Sequence, residues 1–151
     1  MRVHEGLLIG RLASLHLLDC RQYRSPHACR GLASLIDPDD CKALRSPEHS
    51  LLGAAQAQWL HGSLGQQART WNLILQTTMV APRRIPFGGG HRVWADGWDG
   101  YPQDRERLLE VLRAQQIGGA VFLGGDLHEN WANDLQTAEG HAVATEFVGA
   151  G

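Results

Sequence analysis

Short apolar segments that alternate with helix-forming segments limit the fold of this sequence more than any other feature. The apolar segments cover residues 7–18, 70–80, 120–123 and 142–148. Good helix formers fill residues 52–64, and a second helix is expected from Pro102 to the glycine pair at 118–119. Buried strands separated by helices are typical of layered α/β proteins. The sequence therefore predicts an α/β fold, and residues 1–151 are expected to form a single domain.

The remaining segments are predicted as loops and helix caps. Residues 23–47 are rich in proline, aspartate, serine and cysteine, and residues 83–101 are rich in glycine and tryptophan. No strand is predicted between residues 124 and 141. Ser50 is expected to cap the first helix and Asp99 the second, because short polar side chains accept hydrogen bonds from the first free backbone N–H groups.

Composition and charge exclude several classes of function. Hydrophobic residues make up 43% of the 151 residues, charged residues 20%, and the net charge is −2, as in ordinary globular proteins. A near-neutral chain with dispersed basic residues is not expected to bind nucleic acid. No apolar segment approaches the roughly 20 residues of a membrane-spanning helix, so no membrane partner is expected. The first ten residues do not resemble a signal peptide.

The three cysteines do not decide whether the protein works in an oxidising or a reducing compartment. Cys29 and Cys41 lie in the predicted loop and could pair if the protein were exported, while Cys20 ends an apolar segment. One buried cysteine and two loop cysteines are the favoured interpretation. A thiolate zinc site is not expected, because the chain has no pair of cysteines two residues apart in a CxxC motif.

The sharpest chemical signal follows the apolar segment 120–123. Two glycines end that segment, and Asp126 and His128 come directly after them. Side chains two residues apart in an extended chain point the same way, so Asp126 and His128 could reach one metal ion. The competing interpretation is a turn, in which Asp126 caps the following residues and His128 lies on the surface. The local pattern leaves both interpretations open.

Two other segments place carboxylates beside groups that could shape a substrate site. Asp19 ends the first apolar segment and Arg21 follows it. A structural ion pair between them is favoured over a role for Arg21 in gripping phosphate. Before the second helix, Asp96 and Trp98 could form the wall of a pocket. The competing interpretation is that Asp99 caps the helix and the aromatic side chains anchor the core, and for Asp99 the cap is favoured.

Two polar residues within the predicted strands are interpreted as structural. An asparagine such as Asn72 can ligate a hard cation, but a buried asparagine satisfied by the backbone is the commoner case. His16 is expected to face inward without a chemical role. Most other histidines, among them His27, have no partner motif in the sequence.

Six segments taken together resemble those of one protein family, in the same order along the chain. They are LDCRQYRS (18–25), SLLGAAQAQWL (50–60), TWNLILQTTMVAP (70–82), DGWDGYPQDRERLL (96–109), VFLGGDLHENWANDL (121–135) and VATEFVGAG (143–151). The corresponding family segments include LDTRQYRS, DxWDGYPxxRxRLL and VATEFVGTS. The combination is more specific than any single motif. The chain resembles the C-terminal portion of the PhoD-like alkaline phosphatases, of the metallophosphoesterase type.

The resemblance implies a fold, a reaction and a set of site residues. The implied fold is half of a four-layer α/β/β/α sandwich, without the family's N-terminal all-β domain and first half-sheet. The implied reaction is hydrolysis of phosphate monoesters and diesters by a metal-activated hydroxide, with iron and calcium as cofactors, in an exported protein. Matching motifs imply Asp126 and His128 as metal ligands. They imply Asp19, Arg21, Asp96 and Trp98 as residues of the catalytic pocket.

Departures from the family pattern lead to two functional hypotheses. Cys20 replaces the usual threonine, Gly125 and the residues after His128 also differ, and the polar candidates look too few to hold two or three metals. The first hypothesis is a piece of a phosphatase that acts on phosphate esters together with its missing N-terminal half or by self-association. The second is a non-catalytic fragment that serves as a binding module through an exposed apolar sheet face.

Overall fold

The computed structural model describes residues 3–29, 34–66 and 69–150. Within these ranges the strands are β1 (Glu5–Ile9), β2 (Ala13–Leu17), β3 (Leu35–Ile36), β4 (Trp71–Leu75), β5 (Ile85–Phe87), β6 (Gly90–Trp94), β7 (Ala120–Gly124), β8 (Trp131–Gln136) and β9 (Ala142–Val148). The α-helices are α1 (Gly53–Gln66) and α2 (Pro102–Ala114), and short 3₁₀ helices cover Lys42–Arg45 and Trp98–Gly100. The α/β class predicted from the sequence is confirmed.

A six-stranded sheet in the order β1-β2-β4-β7-β9-β8 forms the centre of the fold. Its four middle strands run parallel, while β1 and β8 join the two edges in antiparallel pairing. A separate antiparallel sheet has the order β3-β6-β5. Parallel pairing brings the carboxyl ends of β2, β4, β7 and β9 to one edge of the main sheet, which is where ligands gather in such folds.

The two α-helices share the main hydrophobic core with one face of this sheet. Leu60 and Leu64 of α1 and Leu108 of α2 are fully buried there with Ile74 and Phe122 of the sheet. Leucines spaced along one side of each helix explain this packing, because residues three and four apart lie on the same helical face. Neither helix in the described ranges is long and apolar enough to cross a membrane.

Three segments predicted as loops contain strands, and the first of them is residues 23–47, which include the two-residue strand β3. Residues 85–94 form the hairpin β5-β6, in which Gly88 and Gly89 adopt positive φ at the turn, and residues 131–136 form the edge strand β8. The prediction was wrong because β5 is three residues long with a central proline and β8 exposes most of its side chains. Neither sequence shows the alternation that marks a half-buried strand.

Ser50 caps α1 as predicted, with additional support from α2. The Ser50 hydroxyl accepts a hydrogen bond from the Gly53 amide at 2.8 Å and donates one to Asp104 at 2.6 Å. Asp104 also accepts from the amides of Leu51 and Leu52. Burial alone would raise the pKa of Asp104, but these hydrogen bonds and one from Arg107 hold it below its ordinary value. The start of α1 is therefore fixed to the first turn of α2.

A buried hydrogen-bonded network lies between the sheet and α1. His16 is 1% exposed, and its two ring nitrogens lie 3.0 Å from the Ser14 hydroxyl and 3.2 Å from the Ser63 hydroxyl. Ser14 donates to the side-chain carbonyl of Asn72, whose amide donates to the Gly118 carbonyl. The structural interpretations of His16 and Asn72 are confirmed, since each side chain is satisfied inside the protein.

Cys29 and Cys41 form a disulfide, and Cys20 is free and buried. The disulfide belongs to a second, smaller hydrophobic cluster with Ile36, Leu44 and Val93. Because this cluster contains little apolar surface, the covalent link between its two loop segments contributes much of its order. Pairing of the loop cysteines, which the sequence left open, is a feature of the structure.

His16 should make the stability of the protein sensitive to acid. Burial lowers the pKa of His16, so below its ordinary value of 6.5 the unfolded chain takes up a proton that the folded ring resists. The stabilisation that the protein gains from keeping His16 neutral is complete above the pKa of this ring in the unfolded chain. It is lost as pH falls toward the pKa of the ring in the folded protein, by at most about 1.4 kcal/mol per pH unit. Urea unfolding between about pH 5 and about pH 8 should therefore show a flatter pH dependence for His16→Gln, whose amide can keep the hydrogen bonds.

The control for this experiment is His141→Gln, at an exposed turn between β8 and β9. It should follow the pH dependence of the wild-type chain. Equal slopes for wild type and His16→Gln would show that proton uptake by His16 does not contribute to acid sensitivity.

Removal of the disulfide should destabilise the protein without abolishing the main core. Cys29 and Cys41 are 12 residues apart, and closing a loop of that size stabilises a fold by roughly 3 kcal/mol in the chain-entropy account. We expect a loss of that order in the free energy of unfolding for Cys29→Ser/Cys41→Ser, measured by urea denaturation. Dithiothreitol should lower the stability of the wild type to that of the double variant and leave the variant unchanged; a wild type indifferent to reductant would contradict this.

Candidate functional site

Polar residues from three parts of the chain meet near the carboxyl ends of the parallel strands. Asp19 and Arg21 follow β2, and Asp126 follows β7. Asp96 comes from outside the main sheet, two residues beyond the end of β6. The fold thus assembles residues that are up to 107 positions apart in the sequence, as the separation of Asp19 from Asp126 shows.

Arg21 joins two of the three carboxylates of this group. Its Nη1 lies 2.5 Å from Oδ2 of Asp96 and its Nη2 lies 3.2 Å from Oδ2 of Asp126. The hydrogen bond to Asp96 raises the pKa of Arg21 above its ordinary value, and the charge of Asp126 acts in the same direction. Arg21 is 41% exposed, so its planar fork of N–H donors remains accessible from solvent.

Asp96 is held by two further basic side chains. Nη1 of Arg24 lies 2.8 Å, and Nε2 of His27 3.0 Å, from Oδ1 of Asp96. Partial burial alone would raise the pKa of Asp96, but hydrogen bonds from Arg21 and Arg24 outweigh it and lower the pKa. No motif in the sequence singles out His27, because its partner lies 69 residues away.

Asp19 does not form the expected ion pair with Arg21. Its Oδ1 accepts hydrogen bonds from the backbone amides of Arg21 and Gln22, at 2.8 and 3.0 Å, so Asp19 shapes the turn that aims the Arg21 side chain. Gln56 of α1 fixes the backbone of Asp19 from both sides. Oδ2 of Asp19 is buried and accepts no hydrogen bond from any described residue, which is unusual for a carboxylate oxygen.

The glycine-rich segment after β7 is a turn and not an extended chain. Asp126 and His128 both have positive φ, 68° and 57°, in the left-handed region that non-glycine residues seldom adopt. Of the two interpretations that the local pattern left open, the structure therefore shows the turn, and the alignment of these side chains as neighbours on an extended strand does not occur. Both residues are exposed. Non-glycine residues in this conformation cluster at functional sites, where surrounding structure holds them.

Trp98 lies beneath the site and not on its surface. It is 1% exposed, and its indole N–H donates to the side-chain carbonyl of Gln76 at 3.0 Å. That carbonyl also accepts from the Thr78 amide, and the Gln76 amide donates to the Thr78 carbonyl. A side chain at Gly124 would collide with these same groups. The structure thus places Trp98 where it supports the chain around the site.

Asp99 has a role different from the one predicted. No side-chain hydrogen bond caps α2. Asp99 pairs instead with Arg105 of α2 at 2.6 Å and accepts a hydrogen bond from the Arg83 amide at 2.8 Å. Asp99 therefore ties the segment after β4 to the second turn of α2.

Glu146 is a buried anchor that the sequence did not reveal. It is fully buried in β9 and accepts hydrogen bonds from the amides of Val80 and Ala81, at 2.6 and 3.0 Å, and from Asn133. Burial raises the pKa of Glu146, and these donors oppose the rise. Glu146 lies within the VATEF motif, and that motif is the one sequence signal that could have identified it.

The described residues do not supply a complete metal centre. Within residues 3–29, 34–66 and 69–150, no group of three or more histidine, cysteine, aspartate or glutamate side chains is close enough to hold a metal ion. Asp126 already pairs with Arg21, whose positive charge would repel a cation there. The unpaired buried oxygen of Asp19 is a further potential donor, but it adds only one ligand. These residues do not fit a site for two or three metals.

Comparison with known proteins connects this arrangement to a family. The family model of PhoD-like phosphatases matches residues 1–151. Alkaline phosphatase D of Bacillus subtilis (strain 168) is 33% identical over 153 residues, and the alignment covers 99% of this chain and 26% of the relative. A solved structure of PhoD superposes with a TM-score of 0.88 at 32% identity and covers 99% of this chain and 29% of that one.

Two conclusions follow from these matches. The chain spans between a quarter and a third of the length of the proteins it matches. Both alignments cover almost all of this chain. The six sequence segments and the fold agree with the same family. The chain belongs to the PhoD-like phosphatase family.

Proposed function

We propose that this chain forms part of a metal-dependent hydrolase of phosphate mono- and diesters. The observation that carries the proposal is the bridge from Arg21 to Asp96 and Asp126, which brings three of the expected site residues together at the carboxyl edge of the sheet. Family membership gives phosphoester hydrolysis as the reaction, in which a water oxygen bonds to phosphorus as the ester P–O bond breaks. One proton of the water passes to the leaving oxygen.

The two arginines are proposed to bind the phosphoryl group. Arg21 and Arg24 each direct N–H donors toward Asp96, and the exposed fork of Arg21 matches the geometry of phosphate oxygens. Charge that develops on those oxygens in the transition state would be stabilised by the same donors. Asp96 is then a positioning residue, since it holds both guanidinium groups and the His27 ring at one place.

Iron and calcium are proposed as cofactors of the complete enzyme. Asp126 and His128 would contribute to binding them, but the described residues alone do not fit such a site, so further ligands would have to come from outside them. No step of the reaction is assigned to a metal in this chain. The chain is accordingly proposed to be half of a four-layer sandwich, with the rest of the enzyme supplied by another segment or another chain.

Export of the protein is also proposed. The Cys29–Cys41 disulfide supports it, because disulfides persist mainly in oxidising compartments such as the periplasm and the cell exterior.

A chimaera provides the most direct test of the proposed function. Residues 1–151 would replace the matched segment of Bacillus subtilis alkaline phosphatase D, and hydrolysis of chromogenic phosphate mono- and diesters would be measured with iron and calcium supplied. We expect the chimaera to be active and the isolated chain to be far less active. The Asp126→Ala/His128→Ala pair should lower kcat/KM of the chimaera by about a hundredfold or more.

The matched control replaces an exposed aspartate and an exposed histidine elsewhere, as Asp134→Ala/His141→Ala. This pair should leave kcat/KM of the chimaera near that of the parent. A folded but inactive chimaera would contradict the proposal and favour the alternative of a non-catalytic binding module. Equal losses in the two double variants would show that Asp126 and His128 have no special role.

A further inference from the structure

The ring of His27 reaches Asp96 from the same chain segment that carries the disulfide. Its Nε2 lies 3.0 Å from Oδ1 of Asp96, and the His27 side chain is 31% exposed. Cys29 follows two residues later and is half-buried. It is joined to Cys41, which is 2% exposed. The histidine contact that helps to hold Asp96 therefore lies two residues from a covalent link between two loop segments.

The same disulfide is connected to Asp96 along β6 as well. Cys41 packs with Ala95 in the smaller hydrophobic cluster, and Ala95 directly precedes Asp96. Strand β3 lies between the two cysteines in the chain and pairs with β6. Beyond that pairing, the Ala95 amide donates to the Ser34 carbonyl at 2.8 Å. Both sides of the histidine contact with Asp96 are thus attached to the small cluster that contains the disulfide.

Arg24, the other basic partner of Asp96 in this segment, is fixed by a different set of contacts. The amide of its neighbour Ser25 donates to the Ser50 carbonyl at 2.7 Å, and the Ser25 hydroxyl accepts from the Ser50 amide at 3.1 Å. The Ser25 carbonyl accepts from the Tyr101 hydroxyl at 2.7 Å. These hydrogen bonds join the segment to the starts of α1 and α2, so Arg24 should keep its place without the disulfide.

The stretch from residue 26 to residue 28 has far less support of its own. Among the described residues, its polar contact is the His27 ring on Asp96, and its apolar contact is Ala28 in the small cluster. Fixing the backbone of one residue costs about as much free energy as one hydrogen bond supplies. The His27 contact therefore needs a chain that is already ordered at Cys29, and the disulfide provides that order.

We infer that the disulfide positions the His27 ring on Asp96, and that the affinity of the enzyme for its substrate depends on this covalent link. Asp96 also holds the guanidinium group of Arg21, so a less firmly held Asp96 lets the phosphate-binding fork of Arg21 shift. Cys29, Cys41 and His27 are positioning residues, since they act through Asp96. The effect on affinity rests on the proposed function, whereas the link between the disulfide and His27 rests on the contacts alone.

Nuclear magnetic resonance of the 151-residue chain tests the link between the disulfide and His27. In Cys29→Ser/Cys41→Ser, the ring signals of His27 should move close to those of a histidine in an unstructured peptide, while the Arg24 side-chain signals stay in place. Cys29→Ala/Cys41→Val keeps the small cluster apolar and serves as a second variant if serine unfolds it. Unchanged His27 signals in a folded variant without the disulfide would overturn the inference.

The control for loss of stability alone is Leu112→Ala. Leu112 is 1% exposed in the last turn of α2 and belongs to the main core and not to the small cluster. Truncation of a buried leucine destabilises a protein by an amount comparable with the loss of the disulfide. The His27 signals should nevertheless stay in place in this variant, and their loss here would show that they report general instability and contradict a specific link.

A double-mutant cycle in the chimaera tests the effect on affinity. Cys29→Ser/Cys41→Ser should raise KM for a chromogenic phosphate diester, and the inhibition constant of inorganic phosphate, about threefold to tenfold, with a smaller change in kcat. His27→Ala should give the same rise, and the triple variant no further rise, because the disulfide acts through His27. Leu112→Ala should leave KM near that of the parent. Losses that add in the triple variant, or a KM that the cysteine substitutions do not change, would contradict the inference.

The two experiments separate this inference from the proposed function. An inactive chimaera would contradict the proposed function, and the His27 signals of the 151-residue chain would then decide the link to the disulfide by themselves. An active chimaera whose KM is indifferent to the disulfide would overturn the inference and leave the proposed function in place.

Discussion

Parallel pairing of β2, β4, β7 and β9 is the constraint on which the rest of the structure depends. Each parallel connection requires a crossover, and the crossovers from β2 to β4 and from β4 to β7 contain α1 and α2. Both helices therefore pack on one face and form the main core there. The same arrangement brings the carboxyl ends of the strands to one edge, so the loops that carry Asp19, Arg21 and Asp126 meet. Neither helix covers the other face of the sheet, which carries exposed hydrophobic side chains such as Leu7 and Phe147.

Buried polar side chains hold the loops around the site in place. Gln56 fixes the backbone of Asp19, Gln76 fixes Trp98 and Thr78, and Glu146 accepts from the amides of Val80 and Ala81. Each of these groups lies within a strand, within a helix or immediately after a strand, where the regular structure sets its position. Loops at the site thus gain their rigidity from hydrogen bonds to the sheet and to α1, because a buried donor or acceptor without a partner is costly.

The candidate site could be predicted in part. Arg21, Asp96 and Asp126 were all chosen from the sequence, and the structure brings these three together. His27 and Arg24 were not assigned to Asp96, because nothing in a local pattern relates residues 69 and 72 positions apart. Trp98 is buried, and Asp126 and His128 lie in a turn, so the interpretation that placed them on an extended strand does not hold and the competing turn does. A turn and a strand end look alike in a short sequence rich in glycine.

The sequence by itself determined the α/β class, the two helices, the inner strands and the family to which the chain belongs. These follow from local signals, namely apolar periodicity, helix starts and the order of short motifs, and each can be read over a few residues. Tertiary structure alone decided the partners of Arg21 and Asp19, the Cys29–Cys41 disulfide, the hairpin β5-β6 and the edge strand β8. The physical reason is that these features depend on which distant segments meet, and a short stretch of sequence does not specify that.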